Sequence, residues 1–170
     1  NFLWVGEKFN QKGTKNPSAE FRTVTEKYKI PFINIVAGKI NRHWDFESIP
    51  GNMWNLVKLK VGFVQAFFII LKNKPDLIMS FGGFLAVPIV IWSKILGVQV
   101  FTHEQTIVTG LANRIISKFA NKIFVSWESS LSHFPRSKTI LTGNPIRKDI
   151  FEINSHIFNQ LNASLPTIYI

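Results

Sequence analysis

Short runs of apolar, β-branched and aromatic residues alternate along this chain with longer segments of helical period. The runs are Phe2–Val5, Phe32–Ala37, Leu77–Ser80, Val98–Thr102, Lys122–Val125, Thr139–Leu141 and Thr167–Ile170, each of strand length. Helical spacing marks Ser18–Tyr28, Asn52–Asn73, Ala86–Leu96 and Leu111–Ala120 between them. Strands alternating with helices define βαβ units and a parallel sheet. Runs that are apolar throughout, rather than at every second position, predict helices over both faces. The expected fold is therefore α/β, a Rossmann-like doubly wound parallel sheet.

Pro75 ahead of a strand, Gly97 behind a helix and Pro50-Gly51 ahead of the longest helix are punctuation in the expected places. From Ile150 to Leu165 the pattern weakens among Asn154, Ser155, Asn159, Asn162 and Ser164, which reads as an interdomain linker or a short helix. One Rossmann-like unit is expected over residues 1–149, with the linker and the first strand of another domain over 150–170. A chain that enters a strand at Phe2 and stops within one at Ile170 reads as a piece of a longer coding sequence.

The helix Asn52–Asn73 carries more apolar surface than one buried stripe requires. Met53, Val57, Val64, Phe67, Phe68 and Leu71 form the expected core stripe, and Trp54, Leu59, Phe63 and Ile70 widen it. Lys58, Lys60, Lys72 and Lys74 flank or interrupt this surface. An over-wide apolar arc edged by lysines predicts contact with an anionic membrane surface through Met53, Trp54, Val57 and Phe63, or else a covering helix or domain. No run reaches the ~20 uninterrupted apolar residues of a membrane-spanning helix.

Polar chemistry is concentrated where strands end. After Leu77–Ser80, the pair Gly82-Gly83 removes two Cβ atoms as the chain turns into a helix, so that backbone N–H groups can approach a phosphate or simply make a tight turn. After Val98–Thr102 come His103, Glu104 and Gln105. Burying that trio without partners is costly, so it is expected to line a cleft or a polar network, with His103 suited to proton transfer, Glu104 to orienting or accepting a proton, and Gln105 to sugar hydroxyls. Thr109 is the expected cap of the next helix, with Asn113 one turn in facing the same crevice. After Thr139–Leu141, Asn144-Pro145 leads to Arg147, a candidate for a bidentate phosphate contact or a solvated arginine in a turn. His43 and Trp44 are expected in a loop, His133 and His156 have no partners at metal-ligand spacing, and the four are assigned no function.

Composition narrows the partners. Twenty Lys and Arg against ten Asp and Glu leave a net charge of +10, which attracts acidic partners such as nucleic acid, anionic lipid or phosphorylated ligands. The basic residues are scattered and match no nucleic-acid module, so nucleic acid is not expected as a partner. The absence of cysteine excludes disulfides and thiolate metal sites.

With these residues in place, the chain resembles the MurG family, the undecaprenyl-diphospho-muramoylpentapeptide β-N-acetylglucosaminyltransferases of cell-wall synthesis. Phe81-Gly82-Gly83-Phe84 resembles the family's second glycine loop. His103-Glu104-Gln105 followed by Gly110-Leu111-Ala112-Asn113-Arg114 resembles its HEQN…GLTNR signature, and Gly143-Asn144-Pro145-Ile146-Arg147 its GNPVR. The resemblance implies the N-terminal half of a GT-B glycosyltransferase, without a cofactor or metal, acting at the cytoplasmic face of the membrane as a peripheral protein. Its partners would be UDP-N-acetylglucosamine and an undecaprenyl-diphosphate-linked acceptor. It implies catalytic roles for His103 and Glu104, acceptor contacts from Gly82, Gly83, Phe84, Gln105 and Asn113, and donor contacts from Thr106 and Arg147. Two positions depart from the family: Thr106 stands where Asn is usual, and Phe84 where Tyr is. The family's first strand and its GGTGGH loop would precede Asn1, and its donor domain would follow Ile170. The alternatives are a non-catalytic subunit that docks on the membrane, binds the acceptor and recruits a donor domain, and a GT-B transferase with another lipid acceptor.

Overall fold

A computed structural model describes residues 1–9, 16–36 and 49–147. The described residues hold six strands and four α-helices, in the order β1 Trp4–Gly6, α1 Ala19–Arg22, β2 Phe32–Asn34, α2 Ile49–Asn73, β3 Leu77–Ser80, α3 Ala86–Ile95, β4 Gln99–Glu104, α4 Leu111–Phe119, β5 Lys122–Val125 and β6 Thr139–Leu141. The strands form two groups, β1-β2 and β3-β4-β5-β6, every pairing parallel. The expected strands over Leu77–Ser80, Lys122–Val125 and Thr139–Leu141 appear with those bounds. The expected linker, the strand Thr167–Ile170, His43, Trp44 and His156 lie outside the described residues.

Local chemistry explains the helix ends. Ser18 caps α1 by accepting from the Phe21 N–H at 3.1 Å. The chain then continues in π-helical form over Thr23–Lys27, so the predicted single helix Ser18–Tyr28 divides in two. Pro50 and Gly51 lie inside the first turn of α2 rather than before it; the first-turn N–H of a helix has no internal acceptor, and proline is therefore tolerated there. Thr109 does not cap α4: the cap is Gly110, without a side-chain bond, and the buried Thr109 Oγ1 has no partner among the described residues.

Helices α2, α3 and α4 form one layer. Val90 of α3 and Ile116 of α4 pack on Val100, Ile123 and Val125, a cluster almost without solvent contact. Val98 onward enters the sheet under the same layer, and Asn121 ties β4 to β5 by donating its N–H to Val100 O and accepting the Val100 N–H at its side chain. Ile35, Ala66, Ile70 and Ile89 form a second cluster, against which both Val5 of β1 and Ile78 of β3 pack.

The orientation of α2 reverses the expected stripe. Gly62, Ala66 and Ile70, four residues apart, face the interior, and Phe63 and Phe67 turn onto Trp92, with ring centroids 5.7 and 4.7 Å away. Trp92 Nε1 donates to Phe63 O, and Gln65 Oε1 accepts the Val36 N–H. A Cβ on Gly62 would run into the Val36 carbonyl, so a small residue is required where the helix backbone meets the chain after β2. The residues assigned to the core stripe, Met53, Val57, Val64, Phe68 and Leu71, are instead exposed, with Trp54 and Val61 beside them. Phe63, grouped above with the membrane-facing residues, belongs to the α2–α3 contact. Over Met53–Asn73 this helix is also long and apolar enough to cross a membrane, by length and composition. That revises the expectation that no such segment exists, because a core face and an exposed apolar face add together in one helix.

Candidate active site

The carboxyl ends of β3, β4 and β6 and the start of α4 bring together most of the residues singled out from the sequence. β4 runs two residues beyond its predicted end, since His103 and Glu104 stay in register with Phe124 and Val125 of β5. Both are therefore strand residues, and neighbours on a strand point to opposite faces. Their side chains do not form an adjacent pair.

Glu104 points to the helical face, where it is 4% exposed. Its Oε1 accepts the Thr106 N–H at 3.0 Å and the Thr106 hydroxyl at 2.7 Å, and its Oε2 accepts from Asn113 Nδ2 at 2.6 Å. Three donors converge on one buried carboxylate, so it is an anchor for the β4–α4 turn and for Asn113. This arrangement turns the Thr106 hydroxyl toward Glu104 rather than outward to a donor sugar. With Nδ2 committed to Glu104, Asn113 Oδ1 is left as a buried acceptor without a partner among the described residues. It lies against Gly82, whose left-handed φ of +86° and lack of a Cβ permit the approach.

His103 points to the other face and is 3% exposed. Its Nε2 lies 3.2 Å from Gly143 O and 3.5 Å from Ser126 Oγ. A carbonyl only accepts, so the neutral ring carries its proton on Nε2 and presents a lone pair at Nδ1. That atom is buried and has no partner among the described residues. The Phe81 ring meets the imidazole edge-on at 6.4 Å. The contact to Gly143 also brings the end of β6 into the site, a link that spacing alone did not predict.

Gly83 and Gln105 are exposed at the rim, and Phe84 is half-buried. Arg147 is exposed beyond β6. Gln105 O accepts from Trp127 Nε1 at 2.9 Å, and Ser130 Oγ donates to Thr106 O at 3.2 Å. Trp127 and Ser130 escaped the sequence reading; a Ser/Trp-rich turn directly after a buried strand was the available signal. Among the described residues no His, Asp or Glu cluster is arranged to hold a metal ion.

A parallel sheet with buried polar side chains gathered at the carboxyl ends of its strands defines a Rossmann-like ligand-binding domain. The model of the glycosyltransferase family 28 N-terminal domain matches residues 13–125, and the chain belongs to that family. Curated relatives bear the name UDP-N-acetylglucosamine–N-acetylmuramyl-(pentapeptide) pyrophosphoryl-undecaprenol N-acetylglucosamine transferase. The one from Borreliella afzelii is 36% identical over 172 residues, covering 99% of this chain and 44% of the relative. One from Bacillus thuringiensis, numbered 3, is 40% identical over 133 residues, covering 78% of this chain and 37% of the relative. The chain thus spans less than half the length of these relatives. Among solved structures, Acinetobacter baumannii MurG superimposes with a TM-score of 0.56 at 21% identity, over 86% of this chain and 46% of that one. A UDP-GlcNAc 2-epimerase of Methanocaldococcus jannaschii gives 0.51 at 13% identity, over 92% and 50%. The fold is that of one Rossmann-like half of a GT-B protein.

Proposed function

We propose that this chain is the acceptor-binding half of an inverting glycosyltransferase that moves N-acetylglucosamine from UDP-N-acetylglucosamine to an undecaprenyl-diphosphate-linked muramoylpentapeptide, in peptidoglycan synthesis. The observation that carries this reading is the 36% identity to a relative of that name over 99% of the chain. The geometry agrees with it. Gly82, Gly83 and Phe84 lead from β3 into the rim of the site, and Gln105 flanks it; these residues receive the acceptor. Asn113 Oδ1 accepts from an acceptor hydroxyl or amide. His103 Nδ1 is the atom suited to proton handling, whereas Glu104 is a positioning residue that holds Asn113 and Thr106. Arg147 reaches donor phosphate, and Thr106 contributes to the donor side only through the turn it fixes.

The test uses the intact enzyme, expressed from the coding sequence extended on both sides, with UDP-N-acetylglucosamine and a lipid-diphosphate muramoylpentapeptide. His103→Ala is expected to lower kcat by roughly 10²–10⁴, the range of a lost general acid or base. An unchanged rate removes His103 from the chemistry, and absence of transfer by the unaltered enzyme removes the function.

The exposed face of α2 carries the second half of the proposal, peripheral attachment to the anionic cytoplasmic surface of the membrane. Met53, Trp54 and Val57 lie on that face, with Lys58 and Lys60 alongside. A surface contact suits α2 better than a span, because its opposite side is committed to Trp92 and to the core around Ile35. Trp54→Ser combined with Val57→Ser is expected to reduce co-sedimentation of the intact protein with phosphatidylglycerol vesicles severalfold, and neutral vesicles are expected to bind less. Binding insensitive to both changes contradicts this assignment.

A further inference from the structure

The turn that follows β5 runs beside the turn that follows β4, and side chains join them. Trp127 Nε1 donates to Gln105 O at 2.9 Å, and the hydroxyl of Ser130, a residue without solvent contact, donates to Thr106 O at 3.2 Å. The Ser130 N–H in turn donates to Trp127 O at 3.0 Å. Trp127 is therefore held at its indole nitrogen and at its carbonyl.

Held in this way, Trp127 is still 50% exposed. An indole has one polar group, and here it is engaged by backbone, so the ring has only apolar surface left to offer. A rigid aromatic whose orientation is set in advance binds with little loss of freedom. The ring also stands next to the candidate chemistry. Ser126, the residue before it, places its Oγ 3.5 Å from His103 Nε2, and Gln105, whose carbonyl it holds, follows His103 and Glu104 in the chain.

Its surroundings are polar: Gln105, Glu128 and Ser129 are all exposed. A wholly apolar partner would strip water from that amide and carboxylate without replacing it. A pyranose ring is amphipathic in the matching sense. Its axial C–H groups make one face apolar, while its hydroxyl and acetamido groups, around the edge, need donors and acceptors such as an amide and a carboxylate.

We propose that Trp127 and Gln105 form a sugar-binding subsite at the mouth of the site. The indole stacks on the pyranose ring of an N-acetylhexosamine, and the Gln105 amide and Glu128 carboxylate bond the groups at its edge. This rests on the functional reading above, in which both substrates carry such a ring, and adds to it a residue that reading does not use. The ring that stacks belongs either to the lipid-linked acceptor or to the nucleotide-linked donor, and kinetics tell the two apart.

The intact enzyme, expressed from the extended coding sequence, is assayed with UDP-N-acetylglucosamine and the lipid-diphosphate muramoylpentapeptide. Trp127→Ala is expected to raise the KM of one of them by about tenfold and to lower kcat by less, as for a lost binding contact. Trp127→Phe keeps a ring without the Nε1–H, and is expected to recover most of that affinity. A KM raised for the lipid-linked compound assigns the ring to the acceptor, and one raised for UDP-N-acetylglucosamine assigns it to the donor. Both KM values within about twofold of the original, a fall in kcat alone, or equal losses in the two variants overturn the proposal. Equal losses would make Trp127 a clamp on the β4–α4 turn and nothing more.

A second measurement needs no turnover. In protein labelled with fluorotryptophan, the fluorine NMR signal of position 127 is identified among the five tryptophans by its absence from the Trp127→Phe protein. That signal is expected to move on saturation with one of the same two compounds. A signal indifferent to both overturns the subsite, and one indifferent also to exchange of H2O for D2O shows the ring covered by the rest of the protein. A moving signal in an unaltered enzyme that transfers no sugar would remove the functional reading and keep the subsite; transfer with an unmoved signal would do the reverse.

Discussion

Replacing Glu104 with alanine is expected to be among the most damaging single changes in this domain. The carboxylate is 4% exposed and receives the Thr106 N–H, the Thr106 hydroxyl and Asn113 Nδ2. Its removal leaves those donors facing a small void that cannot satisfy all of them. Hydrogen bonds to a charged group are each worth about 1.5–3 kcal/mol, and stranded buried donors cost about 1–3 kcal/mol. Because the bonds are coupled through one side chain, a total of about 3–5 kcal/mol is more realistic than their sum. At about 2–4 °C per kcal/mol, thermal unfolding should shift down by roughly 6–20 °C.

Glu104→Gln tests the same network differently. The amide retains one acceptor oxygen but turns an NH₂ toward donors that already need acceptors, so an intermediate loss is expected. The measurements are differential scanning calorimetry and the NMR resonances of the Asn113 side chain. A Glu104→Ala protein that melts within about 2 °C of the original would show that the carboxylate does not anchor the turn. If stability falls while His103→Ala leaves stability largely intact and abolishes transfer, positioning and chemistry separate onto the two faces of β4.

The contrast between these two residues shows what the sequence could and could not convey. The clustering of His103, Glu104 and Asn113 at a strand end was legible, because polar residues abutting an apolar run need a cleft or partners. Their division between faces was not, because ending β4 at Thr102 hid the alternation that continues to Glu104. Hydrogen bonding to β5, including Ser126 N–H to Glu104 O at 3.1 Å, sets that boundary. The three strands predicted with their observed bounds are short apolar runs with clear flanking punctuation, where local signal and tertiary pairing coincide.

The inversion of α2 has a similar origin. Large apolar side chains invite assignment to the core, yet close packing of a helix on a neighbouring backbone selects small ones. Gly62 and Ala66, with Ile70 one turn on, carried the correct signal at a spacing of four. Met53, Val57, Val64 and Phe68 are larger but stay exposed among the described residues. The division of the strands into two groups, β1-β2 and β3-β4-β5-β6, lay beyond any local pattern, since only strand pairing reveals it.

Gly82→Ala compared with Gly83→Ala separates steric from conformational demands in the site. Both residues adopt left-handed backbone, with φ of +86° and +84°, so alanine at either costs about 1–2 kcal/mol for conformation alone. A Cβ at Gly83 meets nothing within 4 Å, whereas one at Gly82 would lie 2.7 Å from Asn113 Nδ2 and 2.9 Å from its Cγ. The Asn113 amide must then move, and its bond to Glu104 lengthens or breaks. Gly82→Ala is therefore expected to cost about 3–4 kcal/mol, about 2 kcal/mol more than Gly83→Ala. Adding Asn113→Ala should make the Gly82 substitution less costly than it is alone, giving a coupling of about 1–2 kcal/mol in a double-mutant cycle by denaturant unfolding. Equal losses at the two glycines, or a coupling near zero, would mean that the glycine loop answers only to its turn. A clear coupling would show that Gly82 and Glu104 hold Asn113 from two sides.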